Sequence, residues 1–121
     1  MPHTDRELSY LWDMQTAAKE IVQFMRGIKF AEFEKNKVLR FAAERQLLVI
    51  GEAANHISPQ FRNKHSEIPW QKFIKMRNVI AHEYGETLIS RVWFDSTESV
   101  PELLVILGKL IDEINQESDE K

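Results

Sequence analysis

Apolar residues in this chain return every three to four positions, and no stretch alternates strictly between apolar and polar as a half-buried strand does. That period restricts the fold to packed helices. Punctuation in the sequence says where they break. Thr4-Asp5-Arg6-Glu7 has the form of a capping box, a hydroxyl three residues before a glutamate. Leu8, Leu11, Trp12, Ile21, Val22, Met25 and Ile28 follow at helical spacing, and Gly27 marks an end. A short turn of helix over Ile28 to Lys35 is expected to carry Phe30 and Phe33 inward. Asn36 can cap a second long helix running to Ile57, with Val38, Phe41, Ala42, Leu48, Ile50, Ala53 and Ile57 as its buried candidates. Ser58-Pro59 starts another helix with a capping residue and a proline. Pro69 opens the next, to Ala81, and Gly85 ends that region. Ser90 is expected to cap a last helix reaching Gln116, which Pro101 should kink or split. Gly51, inside a long helix, costs about 1 kcal/mol against alanine, so it predicts a close helix approach or a partner's backbone at that point.

The chain has 121 residues, enough for one domain spanning 1–121 with one core, and the residues from 117 to 121 are expected to form a disordered tail. No apolar run approaches the roughly 18 residues that a membrane span needs. The first residues lack the apolar stretch of a signal peptide, and there is no cysteine, which together fit a cytoplasmic protein. A net charge of −3 argues against bulk electrostatic capture of nucleic acid. The distribution is more informative. Between 62 and 77 stand Arg62, Lys64, Lys72, Lys75 and Arg77 against Glu67 alone, while the stretch from Asp112 to Lys121 carries five acids and one lysine.

The basic stretch leads into Arg77-Asn78-Val79-Ile80-Ala81-His82-Glu83-Tyr84. A guanidinium grips a phosphate with paired hydrogen bonds. An imidazole, titrating near pH 6.5, takes or gives a proton under physiological conditions. A phenol donates a hydrogen bond or accepts a modification. Those parts can cleave an RNA phosphodiester without metal: the ribose 2′-hydroxyl attacks the adjacent phosphorus in line, a base removes its proton, a cation steadies the phosphorane and an acid protonates the leaving 5′ oxygen. Arg77 and His82 are the catalytic candidates, His82 as base or acid. Asn78 can orient His82 or the phosphate, and Tyr84 can contact substrate or supply a proton. Glu52, in a small and apolar stretch, needs a partner; it can hold Arg77 or an arginine of a second subunit, or lie on the surface beside a seam of small residues.

Arginine, four residues, histidine, one residue, tyrosine: this spacing resembles the R-x4-6-H-x-Y signature of the HEPN superfamily. Tyr10-Leu11-Trp12-Asp13-Met14, Ile50-Gly51-Glu52-Ala53-Ala54, Ile68-Pro69-Trp70 and Val92-Trp93 with Leu103 and Leu104 are similar to its HepT-like branch, and the likeness covers about nine-tenths of the chain. The resemblance implies an all-α fold, an up-and-down bundle of four to five main helices that forms a homodimer with two motifs facing across a cleft. It implies a metal-independent endoribonuclease, the toxin of a toxin–antitoxin pair, acting on transfer or messenger RNA. It also implies a minimal nucleotidyltransferase as antitoxin, which transfers AMP to the motif tyrosine, here Tyr84, with a larger hetero-oligomer of the two also open. A non-catalytic HEPN module that binds nucleotide or protein is the alternative, and intact Arg77, His82 and Tyr84 favour the enzyme. No cofactor or metal is expected: His56 and His65 lack a second ligand at helical spacing. Trp70 and Trp93 could stack on bases, with core packing preferred.

Geometry leaves one question open. At 100° per residue, Arg77 and Tyr84 share a helix face while His82 lies about 140° from Arg77. Either the helix ends near Ala81 and His82 swings back, or a second subunit completes the site.

Overall fold

A computed structural model describes residues 2–119, and side chains from 5 to 117. Its elements in chain order are α1 (Pro2–Met25), α2 (Phe30–Lys35), α3 (Lys37–His56), α4 (Pro59–Lys64), α5 (Trp70–His82), α6 (Gly85–Phe94), a π-helical turn (Asp95–Ser99) and α7 (Val100–Asp119). The described residues contain no strand. The helical period was therefore a sufficient guide to fold class. The expected tail at 117–121 and the side chain of Thr4 fall wholly or partly outside the described residues. Among the described residues, no helix is long and apolar enough to cross a membrane.

The long helices pack as an up-and-down bundle. Tyr10 stacks on His56, and the Gln46 amide donates to Glu20 at 3.2 Å, so α1 and α3 run antiparallel. Pro59, just past the end of α3, shares a recess with Pro69 and Trp70 at the start of α5, so α5 runs back along α3. The core is apolar: Leu11, Met14, Ile21, Phe33, Leu47, Ile50, Leu103 and Leu107 are sealed from solvent. Burial of such side chains, at roughly 25 cal/mol per Å² of apolar surface, is what offsets the entropy of ordering the helices.

Several local signals act as expected. The Asn36 side chain accepts from the Leu39 amide at 3.0 Å, and that of Ser58 accepts from the Phe61 amide at 3.2 Å. Gly27 takes φ +72°, a left-handed conformation that stops α1 with little steric cost. Phe33 is buried, while Phe30 stays partly exposed against the Trp93 ring.

Others are corrected. α1 already begins at Pro2, so Glu7 does not close a box on Thr4. Its buried carboxylate instead accepts from the Ser58 amide, at 3.3 Å to one oxygen, and so ties α1 to the start of α4. Val38 and Phe41 are 80% and 58% exposed rather than buried. The inward line of α3 is Ala43, Leu47, Ile50 and Ala54. Two residues before Ala43, Phe41 lies about 160° away, and Val38 about 140° away. Trp12 is half exposed, one residue off the line of Leu11 and Met14. Ser90 caps nothing; it is interior to α6, which begins at Gly85. Pro101 does divide the final helical stretch, through the π turn rather than a break. Val100 donates to the Asp95 carbonyl five residues back, a register that absorbs the proline's missing amide, and the Ser99 hydroxyl donates to the Asp95 carboxylate at 2.8 Å.

Candidate functional site

Gly51 sets the site's position. A Cβ built on it would stand 2.6 Å from the Phe73 carbonyl oxygen and 3.1 Å from Cγ of Arg77. Only hydrogen fits there, so α3 and α5 approach more closely than side chains usually allow. The sequence reading of Gly51 as a close-approach residue holds. One consequence is that Glu52, next along α3, lies beside Arg77, one turn beyond Phe73 on α5.

The Arg77 Nε donates to Glu52 Oε1 at 2.8 Å, a charge-assisted bond that fixes the base of the guanidinium. Arg77 is half-buried. Glu52 is an exposed carboxylate beside the Gly51 seam and at the same time holds Arg77 of its own chain. The second oxygen of Glu52 lies 3.9 Å from Nε2 of His56, four residues on. The His56 ring in turn stacks on Tyr10, centroids 5.4 Å apart and planes 15° from parallel. Tyr10, His56, Glu52 and Arg77 thus form a continuous polar line from α1 across α3 to α5. It borders a recess of about 240 Å³ that Asp13 and Arg45 also line.

The rest of the motif is elsewhere. α5 stays helical through His82, and the Glu83 amide donates to the Val79 carbonyl at 2.9 Å. His82 therefore does not swing back, and it projects about 140° around the helix from Arg77. Its ring is exposed and makes no hydrogen bond or ion pair with any described side chain. Asn78 is exposed on α5. Tyr84 is extended (φ −141°, ψ 174°), stands at the N-cap of α6 and is 82% exposed. Gly85, at φ +58°, turns the chain from α5 into α6. One chain thus joins Arg77 to Glu52 and leaves His82 and Tyr84 as a separate, open group.

The basic stretch before the motif is likewise split. On α5, Lys75 lies about 160° from Arg77, and Lys72 about 140° from it. The Lys72 ammonium sits 5.6 Å from the Phe94 ring of α6. These lysines charge another face and do not extend a track into the arginine. The tryptophans are structural: the buried Trp70 donates its indole N–H to the carbonyls of Arg62 and His65, at 3.2 and 3.0 Å, and Trp93 packs on Phe33. His65 packs on Phe61 near Glu67. In the sequence, His56 stands out only as a possible metal ligand, and Tyr10 only as part of a family-like segment. The i,i+4 spacing of Glu52 and His56 was a usable signal for the first. Nothing local pointed to the second, because its contact crosses from α1 to α3.

Comparison with known proteins agrees with this architecture. The family model described as "Ribonuclease HepT-like" matches residues 14–110. The chain is 33% identical over 95 residues to "Putative RNase MJ1380" of Methanocaldococcus jannaschii, covering 78% of this chain and 87% of that one. It is 36% identical over 94 residues to the "Probable ribonuclease HepT" of Thermococcus cleftensis, covering 78% and 86%. A further M. jannaschii protein, "Putative RNase MJ1216", is 31% identical over 114 residues, covering 94% and 93%. No solved structure matches at a significant level. A family model spanning most of the bundle, together with relatives matched over most of their own length, shows that the chain belongs to the HepT-like ribonuclease family.

Proposed function

We propose that this protein is a metal-independent endoribonuclease, the toxin of a toxin–antitoxin pair, whose catalytic residues are Arg77 and His82. The observation that carries the reading is the Glu52–Arg77 pair at 2.8 Å with an exposed imidazole at the end of the same helix. Glu52 holds the guanidinium through Nε, so its outer edge meets the scissile phosphate and stabilises the phosphorane. His82 exchanges the proton, as base at the 2′-hydroxyl or acid at the 5′ oxygen. Asn78 and Tyr84 support substrate binding. The products are a 2′,3′-cyclic phosphate and a 5′-hydroxyl.

Because α5 keeps His82 off the Arg77 face, the reading needs a homodimer in which one copy's arginine works with the other's histidine. Mixing supplies the test. Arg77→Ala and His82→Ala proteins are each inactive on total RNA in EDTA. Unfolded and refolded together, they recover activity, because half of the mixed pairs' sites are intact. Failure to recover, with both variants folded and paired, would argue for a site within one chain. Absence of cleavage by the unaltered protein would favour a non-catalytic HEPN module that binds nucleotide or protein.

The exposure of Tyr84 supports its role as the acceptor of AMP from a minimal nucleotidyltransferase antitoxin. The added phosphate would compete for Arg77, and the nucleoside would obstruct the cleft, with no refolding needed. Intact mass after co-expression is expected to rise by one AMP unit, and Tyr84→Phe should abolish the increment.

A further inference from the structure

The recess beside Glu52 is not used by the chemistry above. α1 contributes Tyr10 and Asp13 to it, three residues apart and so on one face. Arg45, Leu48, Glu52 and His56 enter from α3 at spacings of three and four. Asp13 and Arg45 carry opposite charges around a single recess of about 240 Å³, yet neither forms an ion pair with any described residue. Both side chains are exposed, so each has its charge open to a ligand in the recess. His56 is about half exposed. Tyr10 stacks on one face of its imidazole, and both rings line the recess. Glu52 is both a wall of the recess and the residue that holds Arg77, so the recess and the arginine lie on either side of one carboxylate.

We infer that this recess is a base subsite, taking the nucleobase of a residue that flanks the phosphate held at Arg77, with guanine preferred. The inference rests on the ribonuclease reading for its substrate and on the recess alone for its chemistry. An aromatic face stacks on any base. Selectivity comes from Asp13: a carboxylate only accepts, and guanine alone presents two adjacent donors, N1–H and the 2-amino group, on its pairing edge. Arg45 meets the phosphate on the far side of that nucleoside, and Leu48 supplies an apolar wall.

Titration of the unaltered protein with GMP, AMP and UMP, followed by two-dimensional amide NMR, tests this without requiring cleavage. GMP should bind about tenfold more tightly than AMP or UMP, the size of one good paired contact to a base edge. Asp13→Asn replaces one acceptor with a donor and should remove the preference. His56→Ala should weaken all three nucleotides, with folding checked by circular dichroism. Oligoribonucleotides carrying a guanine beside the cut should be cleaved about tenfold faster, a difference that Asp13→Asn levels. Equal binding of the three nucleotides, or a guanine preference that survives Asp13→Asn, overturns the subsite. So does a change in sedimentation on Asp13→Asn or Arg45→Ala with nucleotide affinity untouched, which would make the recess a contact between copies of the chain. A guanine preference that depends on Asp13 in a protein that cleaves no RNA would keep the subsite and sink the nuclease reading instead.

Discussion

The α3–α5 seam and the α5–α6 junction carry two halves of one motif and are built in opposite ways. At the seam, Gly51 lets two backbones meet and Glu52 fixes Arg77 in a single bonded position. At the junction, the side chains of His82 and Tyr84 stand in solvent beside a left-handed glycine. The arginine is preorganised by the fold. The histidine and tyrosine are presented by it. A charge stabiliser gains from being fixed before the reaction. On the proposed mechanism, a histidine that exchanges a proton with substrate and a tyrosine that accepts AMP gain from being open.

This contrast can be broken by substitution. The largest expected effects are on cleavage: Arg77→Ala and His82→Ala should each lower the rate about a hundredfold or more in a gel assay. Their stabilities should diverge. His82→Ala should unfold within about 0.5 kcal/mol of the unaltered protein in urea, as surface changes do. Next comes Gly51→Ala, whose methyl would meet the Phe73 carbonyl and force the seam apart; a loss of about 1–3 kcal/mol in the same titration is expected. Gly85→Ala strains only a left-handed turn and should cost about 1 kcal/mol. If Gly51→Ala proved the milder of the two, the account of the seam would be wrong. Glu52→Gln keeps a hydrogen-bond acceptor beside Arg77 but removes its charge, and should reduce cleavage by about tenfold with little change in stability.

The smallest effect concerns pH. Burial raises the Glu44 carboxyl above its ordinary value of 4.5, partly countered by the Arg40 guanidinium. The folded state therefore binds this proton more readily than the unfolded chain does. Glu44 favours folding below the ordinary carboxylate value, and that contribution is lost as pH rises through the raised one. Glu44→Gln should flatten the stability profile across that window and leave the protein slightly more stable at neutral pH. Urea midpoints measured from acid to neutral pH would show it. No change in the profile would mean that the neighbouring guanidinium cancels the effect of burial, and a steeper one that it outweighs it.

Much of the fold could be read from particular residues. Asn36, Ser58 and Gly27 each act through their own backbone neighbours, so local chemistry was enough to place them. Ser90 and the Thr4–Glu7 pair misled for one shared reason: a capping residue works only if the helix starts there, and packing decided the starts. Glu7 shows the alternative use of such a carboxylate, capping a different helix 51 residues away. Phe41 and Val38 misled because apolar character says a residue can be buried, while only the orientation of α3 says which residues are. At the site, the residue types of the motif were legible, and so was the angular mismatch between Arg77 and His82. The Tyr10–His56 stack was not, since it joins residues 46 positions apart.

By itself the sequence determined that the chain is helical, where glycine and proline interrupt it, and which side chains have the reactivity to handle a phosphate. These depend on period, backbone freedom and functional groups, all of which are local. The tertiary structure decided that Glu52 grips Arg77, that His82 remains apart, and that a charged recess opens between α1 and α3. Those outcomes depend on the rotation and separation of packed helices, which the core as a whole sets and no short segment encodes.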